Sequence, residues 1–488
     1  MKMTRIPTGR IGVACVAATV VASPGAAQMA LPTDVQPTCT VAGDTFAGWF
    51  ESGSPTPDGA VYAADSNAFP TDNTVCDFYT WGAQMFLWLT SPEGDGRVLD
   101  GPALFNVLPA DASGKRYLQE NDTGAPMAFA LRTEKFDEIG EVGQAGGGGT
   151  LVSQAGGLVY YGVHVNDGYG YFLTGQKGGE LDQTMFPRDA QDLGELERYV
   201  SNTFPGTKLD APRTLAMEFK TSWVEATTVP DASQFITIEA TIPTFTPNAD
   251  NTIWTPGGSK TTTLALVGMH IVGTVQNHPE FVWVTYEHIL NAPDGPYYYT
   301  NGAGDVVQQP YSSEGTFLFI ETGAAVPANT ECAKETKGNI VANTKNGTPV
   351  CAGGIVASDT YRKYPWGSQQ GDTATAAVTN NTLLLALNAS VRSQLSAGDL
   401  RANYVQTGGI WTSAPTETAD APIPEAKDYS DSDLRGSLFA FNATMETYTQ
   451  GTSCFTCHQQ SASAPDSFQP FQLSHIYAQI VPLTPPGD

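Results

Sequence analysis

The chain has 488 residues, 41% of them hydrophobic, enough for two or three ordinary domains or for one large domain with an appendage. With 50 Gly, 33 Pro and only 15% charged residues, the composition disfavours long solvated helices and coiled coils and predicts a strand-rich, turn-rich fold. A formal net charge of -26 repels phosphate backbones and anionic lipid surfaces, which excludes nucleic acid as a partner.

Residues 1–27 read as a secretory signal peptide, in which Lys2, Arg5 and Arg10 precede the apolar run 11–22 and the small residues Gly25 and Ala27. That run is too short for a bilayer, and no later segment reaches the roughly 18 apolar residues a span needs. A soluble periplasmic or secreted protein without a membrane span is expected. Residues 28–425 are expected to form a β-rich globular region and 426–488 a short helical segment, together a mixed, β-rich α+β fold. The aromatic stretch 76–91 predicts a buried helix closed by Pro92. Residues 157–175 predict two strands joined by a hairpin at Asn166-Asp167-Gly168, with His164 a hairpin residue. Helices are predicted over 189–203 and 378–396, and strands over 234–245, 261–275, 280–290 and 315–321. The glycine-rich stretch 144–157 lacks the spacing of a dinucleotide-binding loop. Residues 322–358 look like a stapled surface excursion, and RKYPWG (362–367) like a surface turn. Ser432 as a cap and Leu434, Leu438, Phe441 and Met445 on one face predict a helix over 432–450.

Cys15 lies in the apolar leader, so six cysteines remain in three neighbouring couples. Pairing Cys39 with Cys76 and Cys332 with Cys351 would give two disulfides, each worth about 3–4 kcal/mol by loop entropy, although spacing alone does not fix connectivity. The third couple stands in CFTCH, residues 454–458, the Cys-x-x-Cys-His pattern of covalent haem attachment. Two cysteines at this spacing can each add to one porphyrin vinyl group, and the next residue brings an imidazole beneath the iron. A thioredoxin-type disulfide is the alternative, but its site follows the first strand of a βαβ unit, and this one does not.

In these residues the chain resembles the c-type cytochromes. The resemblance implies one covalently attached haem c held by Cys454 and Cys457, His458 as iron ligand, and redox chemistry outside the cytoplasm. It covers little of the chain. LVGMHIVGTVQNHPEFVWVTYEH and METYTQGTSCFTCH resemble, in addition, uncharacterised exported bacterial monohaem proteins. A typical small cytochrome c draws its second axial ligand from a longer C-terminal part, whereas residues 459–488 contain no Met. The sixth position then falls to His475, to His270, to water or to nothing.

His270, in an apolar strand with Met269 on the opposite face, reads as buried, either near the iron or as a core histidine bonded to a carbonyl. His288 and Glu287 sit on opposite faces of a second strand. A hairpin through VQNHPE would bring His270 and His288 into one neighbourhood, with His278 exposed in the turn. The cations of RKYPWG are a further candidate, for haem propionates. Two functional classes remain. One is a monohaem electron-transfer protein whose acidic surface suits a redox partner with a basic docking face. The other is a haem-dependent oxidoreductase of peroxidase or oxygenase type, with His270 or Glu287 beside a small-molecule substrate pocket in the β-rich region.

Overall fold

The computed structural model describes residues 31–70, 74–121, 127–128, 149–181, 185–321, 329–357, 359–412, 434–437, 439–451, 454–459 and 470–486. Of Met127, Ala128, Thr456, Cys457 and Gln459 it describes the backbone only. Residues 1–27, expected to be a signal peptide, and residues 144–148 of the glycine-rich stretch lie outside the described residues.

Among the described residues the centre is a twelve-stranded sheet. Its strands include β1 (Leu104–Val107), β2 (Leu118–Glu120), β3 (Tyr160–Asn166), β4 (Met217–Glu225), β5 (Thr237–Pro247), β6 (Ile253–Val275), β7 (His278–His288), β8 (Tyr404–Thr412) and β9 (Leu434–Gly436). The spatial order is β9-β8-β7-β6-β4-β3-β1-β2, antiparallel throughout, with β5 paired to the outer half of β6. Helices with strands confirm the β-rich α+β class. No helix among the described residues is long and apolar enough to cross a membrane.

Strand alternation divides the side chains between two cores. On one face Phe219, Met269, Ile271, Val284 and Tyr286 pack under α1 (Val75–Leu89) and α2 (Thr375–Gln394). Helix α1 starts from a capping box in which Thr74 and Asp77 bond reciprocally, and its Phe86 stacks on Tyr286 at 4.1 Å. On the other face Val163, Val165, Val272, Phe281, Trp283 and Ile410 pack under α3 (Asp167–Gly178), α4 (Ala190–Thr203) and the C-terminal chain. The disulfides are Cys39–Cys76 and Cys332–Cys351, with Cα separations of 5.6 and 5.3 Å.

Several expectations are overturned. Asn166-Asp167-Gly168 is no hairpin: Asn166 ends β3 and caps α3 by accepting from the Tyr169 N–H, since Asn serves a helix N-terminus as well as a turn. In place of a helix over 432–450, Leu434–Gly436 pairs with Ile410–Thr412 and turns follow, because this stretch satisfies its polar groups on the sheet. Residues 315–321 are not a strand, although Leu318 and Phe319 donate to the Leu290 and Asn291 carbonyls. RKYPWG is no surface turn, for Arg362 and Trp366 are buried, the arginine between Glu287 and Asp294. His278 is buried as well, held by Glu280 at 2.9 Å and set edge-on to Phe78.

Candidate functional site

The Cys-x-x-Cys-His residues form a short helix, α5 (Cys454–Gln459). Helical spacing places positions 454, 457 and 458 on one side of it. Cys454 is half-buried, with its Sγ 3.9 Å from the Ala440 carbonyl. The Cys457 side chain lies outside the described residues. His458 is buried, and its Nδ1 lies 2.7 Å from the Leu473 carbonyl oxygen. A carbonyl can only accept, so Nδ1 donates in this contact.

Three strands build the floor beneath this helix. In β4, Glu218, Lys220 and Ser222 point to one face; their partners in β6 are Val272, His270 and Gly268, and in β7 Trp283, Thr285 and Glu287. The C-terminal chain is fastened to this floor at successive points. Ala443 N–H donates to Glu287, and Asn442 Nδ2 to Thr285 at 3.1 Å. Thr444 and Ser222 share a hydroxyl contact of 2.6 Å, and both Glu446 oxygens lie within 3.0 Å of His270 Nε2. His458 meets the Trp283 ring at 4.1 Å, and Ser474 donates to Glu218 while pairing with Tyr169. Gly268 permits this approach, because a Cβ there would stand 2.7 Å from both Ser222 and Thr444.

The structure brings two of the proposed ligands together and separates the others. His475 stacks on His458 with ring centroids 3.5 Å apart and planes 8° from parallel. In that pose the rings lie face to face, whereas two axial ligands of one porphyrin oppose their nitrogens across the ring plane. His270 lies on the Trp283 face, two positions along the sheet, and is partly exposed where a buried side chain was expected. It engages a carboxylate rather than a carbonyl. Burial works against the Glu446 charge, but His270 and Lys220 outweigh it and hold that carboxyl below its ordinary value. His288 does not join His270: alternation sends it to the other face, against Phe235. Glu287 is consumed by Arg362 at 2.7 Å, Ala443 and Asn291, which makes it a structural anchor. His164 is buried in β3, stacked on Phe219.

Among the described residues, no group of three or more His, Cys, Asp or Glu side chains gathers as a metal cage. The residues fit a haem in two respects: the Nδ1 of His458 is held by the Leu473 carbonyl, and the Trp283 ring that meets the imidazole is itself packed by Phe455, Phe281 and Ile410. A pocket on the opposite sheet face, between Phe86, Tyr286, Asn388, Arg392 and Tyr404, has a cavity volume of about 10 Å³, room for one water and no organic substrate.

The floor itself was missed from the sequence. Its signal is the alternation of Met217, Phe219 and Trp223 with Glu218, Lys220 and Ser222, the pattern of a strand presenting polar groups to a neighbour. Comparison with protein-family models, curated proteins and solved structures finds no match to this chain.

Proposed function

We propose that this is an exported monohaem c-type protein acting in electron transfer, with one haem bound covalently through Cys454 and Cys457 and with His458 as iron ligand. The observation that carries the reading is the His458 Nδ1 hydrogen bond to the Leu473 carbonyl, made within a Cys-x-x-Cys-His helix. Metal-binding histidines characteristically donate their second ring nitrogen to a carbonyl or carboxylate, which orients the ring and raises its basicity. A bound haem would supply a one-electron couple. The protein's part is to hold the imidazole between Leu473 and Trp283, exclude water with Phe455 and Phe281, and lock the flanking chain onto the sheet through Glu287, Thr285 and His270. The two disulfides agree with an oxidising compartment, which the signal-like residues 1–27 also favour. The acidic surface suits a redox protein with a basic docking face.

The test is expression with a periplasmic haem-attachment system, followed by acid-acetone extraction. The expected result is haem that stays with the protein, in the wild type but not after Cys454→Ala with Cys457→Ala. Full retention in the double variant, or no haem in the wild type, overturns the proposal.

A further inference from the structure

The sequence contains two Asn-Gly pairs, Asn301-Gly302 and Asn346-Gly347, and each stands at the tip of a two-stranded hairpin. In such a pair the backbone nitrogen of the glycine can attack the asparagine side-chain amide, because no Cβ shields it. Whether it does so depends on what holds the reacting groups. At Asn301 both are engaged. The side-chain Oδ1 accepts from the Ala303 and Asp305 N–H groups at 3.0 and 2.9 Å, and the Gly302 N–H donates to the Asp34 carbonyl at 2.6 Å. At Asn346 neither is. The residue is exposed at the end of the hairpin that pairs Thr344–Lys345 with Thr348–Pro349. Among the described residues, neither its amide nor the Gly347 N–H has a hydrogen-bond partner. Both tip residues have positive φ, 53° and 81°, the conformation a two-residue hairpin turn needs and Asn-Gly supplies. A Cβ on Gly347 would meet nothing within 4 Å, so the tip is open to water on that side.

We propose that Asn346 is a site of spontaneous modification, at which the side-chain amide becomes a carboxylate through a cyclic imide formed with Gly347. The Gly347 nitrogen gives its proton to solvent base and bonds to Asn346 Cγ, the Cγ–Nδ2 bond breaks, and Nδ2 leaves as ammonia with a proton from water. Water then opens the imide. Opening at Cγ gives aspartate, and opening at the main-chain carbonyl carbon routes the backbone through the side chain as isoaspartate. The net change consumes a water and releases an ammonia, with no oxidant or reductant. Either product adds a negative charge to an already acidic chain. Isoaspartate also lengthens the main chain by a carbon, which the Lys345-to-Thr348 pairing cannot absorb, while the Cys332–Cys351 disulfide holds the surrounding loop closed at its base.

The experiment incubates the full chain, disulfides intact, in mildly alkaline buffer and follows asparagine, aspartate and isoaspartate at both positions by peptide mass spectrometry. Position 346 should convert roughly tenfold faster than position 301 or more, because the hydrogen bonds at Asn301 and Gly302 must open before that ring can close. In the same chain unfolded in urea with its disulfides reduced, the two positions should convert at similar rates. Equal rates in the folded protein, or faster conversion at 301, overturn the proposal. So does the same difference persisting in urea, since the neighbouring sequence rather than the fold would then set it. Asn346→Gln supplies a second readout. Isoelectric focusing of the incubated wild type should show an acidic form that the variant lacks, and an acidic form growing as fast in the variant overturns the assignment.

Discussion

His288 illustrates how a single side chain sets a property of the whole protein. It stacks on Phe235 at 3.7 Å, its Nε2 lies 3.1 Å from the Gln234 carbonyl, and its Nδ1 accepts from the Leu290 N–H. Those roles require the neutral ring, and burial pushes its pKa down to about 3. The folded value lies below the unfolded value of about 6.5, so the unfolded state binds the proton first. Its stabilising contribution is complete above that unfolded value and is lost as pH falls toward 3, at about 1.4 kcal/mol per pH unit. His288→Gln should flatten the pH dependence of stability by about that slope, measured by urea unfolding at several values between about pH 6 and 4.5. An unchanged slope would show that His288 titrates freely. None of this environment was legible in the sequence, because Phe235 and Gln234 belong to a segment more than fifty residues away. Glu287 shows the same limit. It looked like a catalytic candidate until Arg362, 75 positions on, took it up as a buried ion pair. The Cys-x-x-Cys-His pattern can be read in a sequence because it depends on adjacent residues, whereas Trp283 and Leu473, which adjoin His458, depend on the fold.

Elements follow the same division between local and distant causes. The helices α1, α2 and α4 were readable, since aromatic burial, periodicity and charge pattern act within each segment. The strands around His270 and His288 were readable from apolar runs. The hairpin at Asn166 was not, because Asn-Asp-Gly serves a type I′ turn and a helix N-terminus alike, and the choice is made by residues 214–217. The Asn166 oxygen accepts from the Tyr169 and Met217 N–H groups, while its nitrogen donates to Thr214 Oγ1 and the Leu215 carbonyl. All four hydrogen-bonding capacities of the amide are thus used in a buried position. Asn166→Ala removes the cap and leaves the partner groups unmatched, a cost of about 2–4 kcal/mol. At a hairpin tip the same change would cost little. Chemical denaturation with the disulfides intact measures the difference, and a loss below about 1 kcal/mol contradicts the capping role.

At the scale of the whole molecule the decisive quantity is charge. The formal charge of -26 is long-ranged, whereas the floor under His458 sets Lys220 and His270 beside Glu218 and Glu287. A partner approaching from solution therefore meets an acidic field first and the local chemistry only on contact. If the protein exchanges electrons through a haem at His458, its rates with small charged reagents should separate by sign. Oxidation of the reduced protein by a cationic complex should slow as salt rises from about 0.01 M to about 1 M, while the Debye length shrinks from about 30 Å to about 3 Å. Oxidation by an anionic complex should quicken over the same range. Stopped-flow kinetics at matched driving force measure both. Opposite salt dependences would place the electron-exchange surface within the acidic field and support a basic docking face on the natural partner. If both reagents responded alike, the exchange edge would lie in a locally balanced region and recognition would rest on short-range contacts instead.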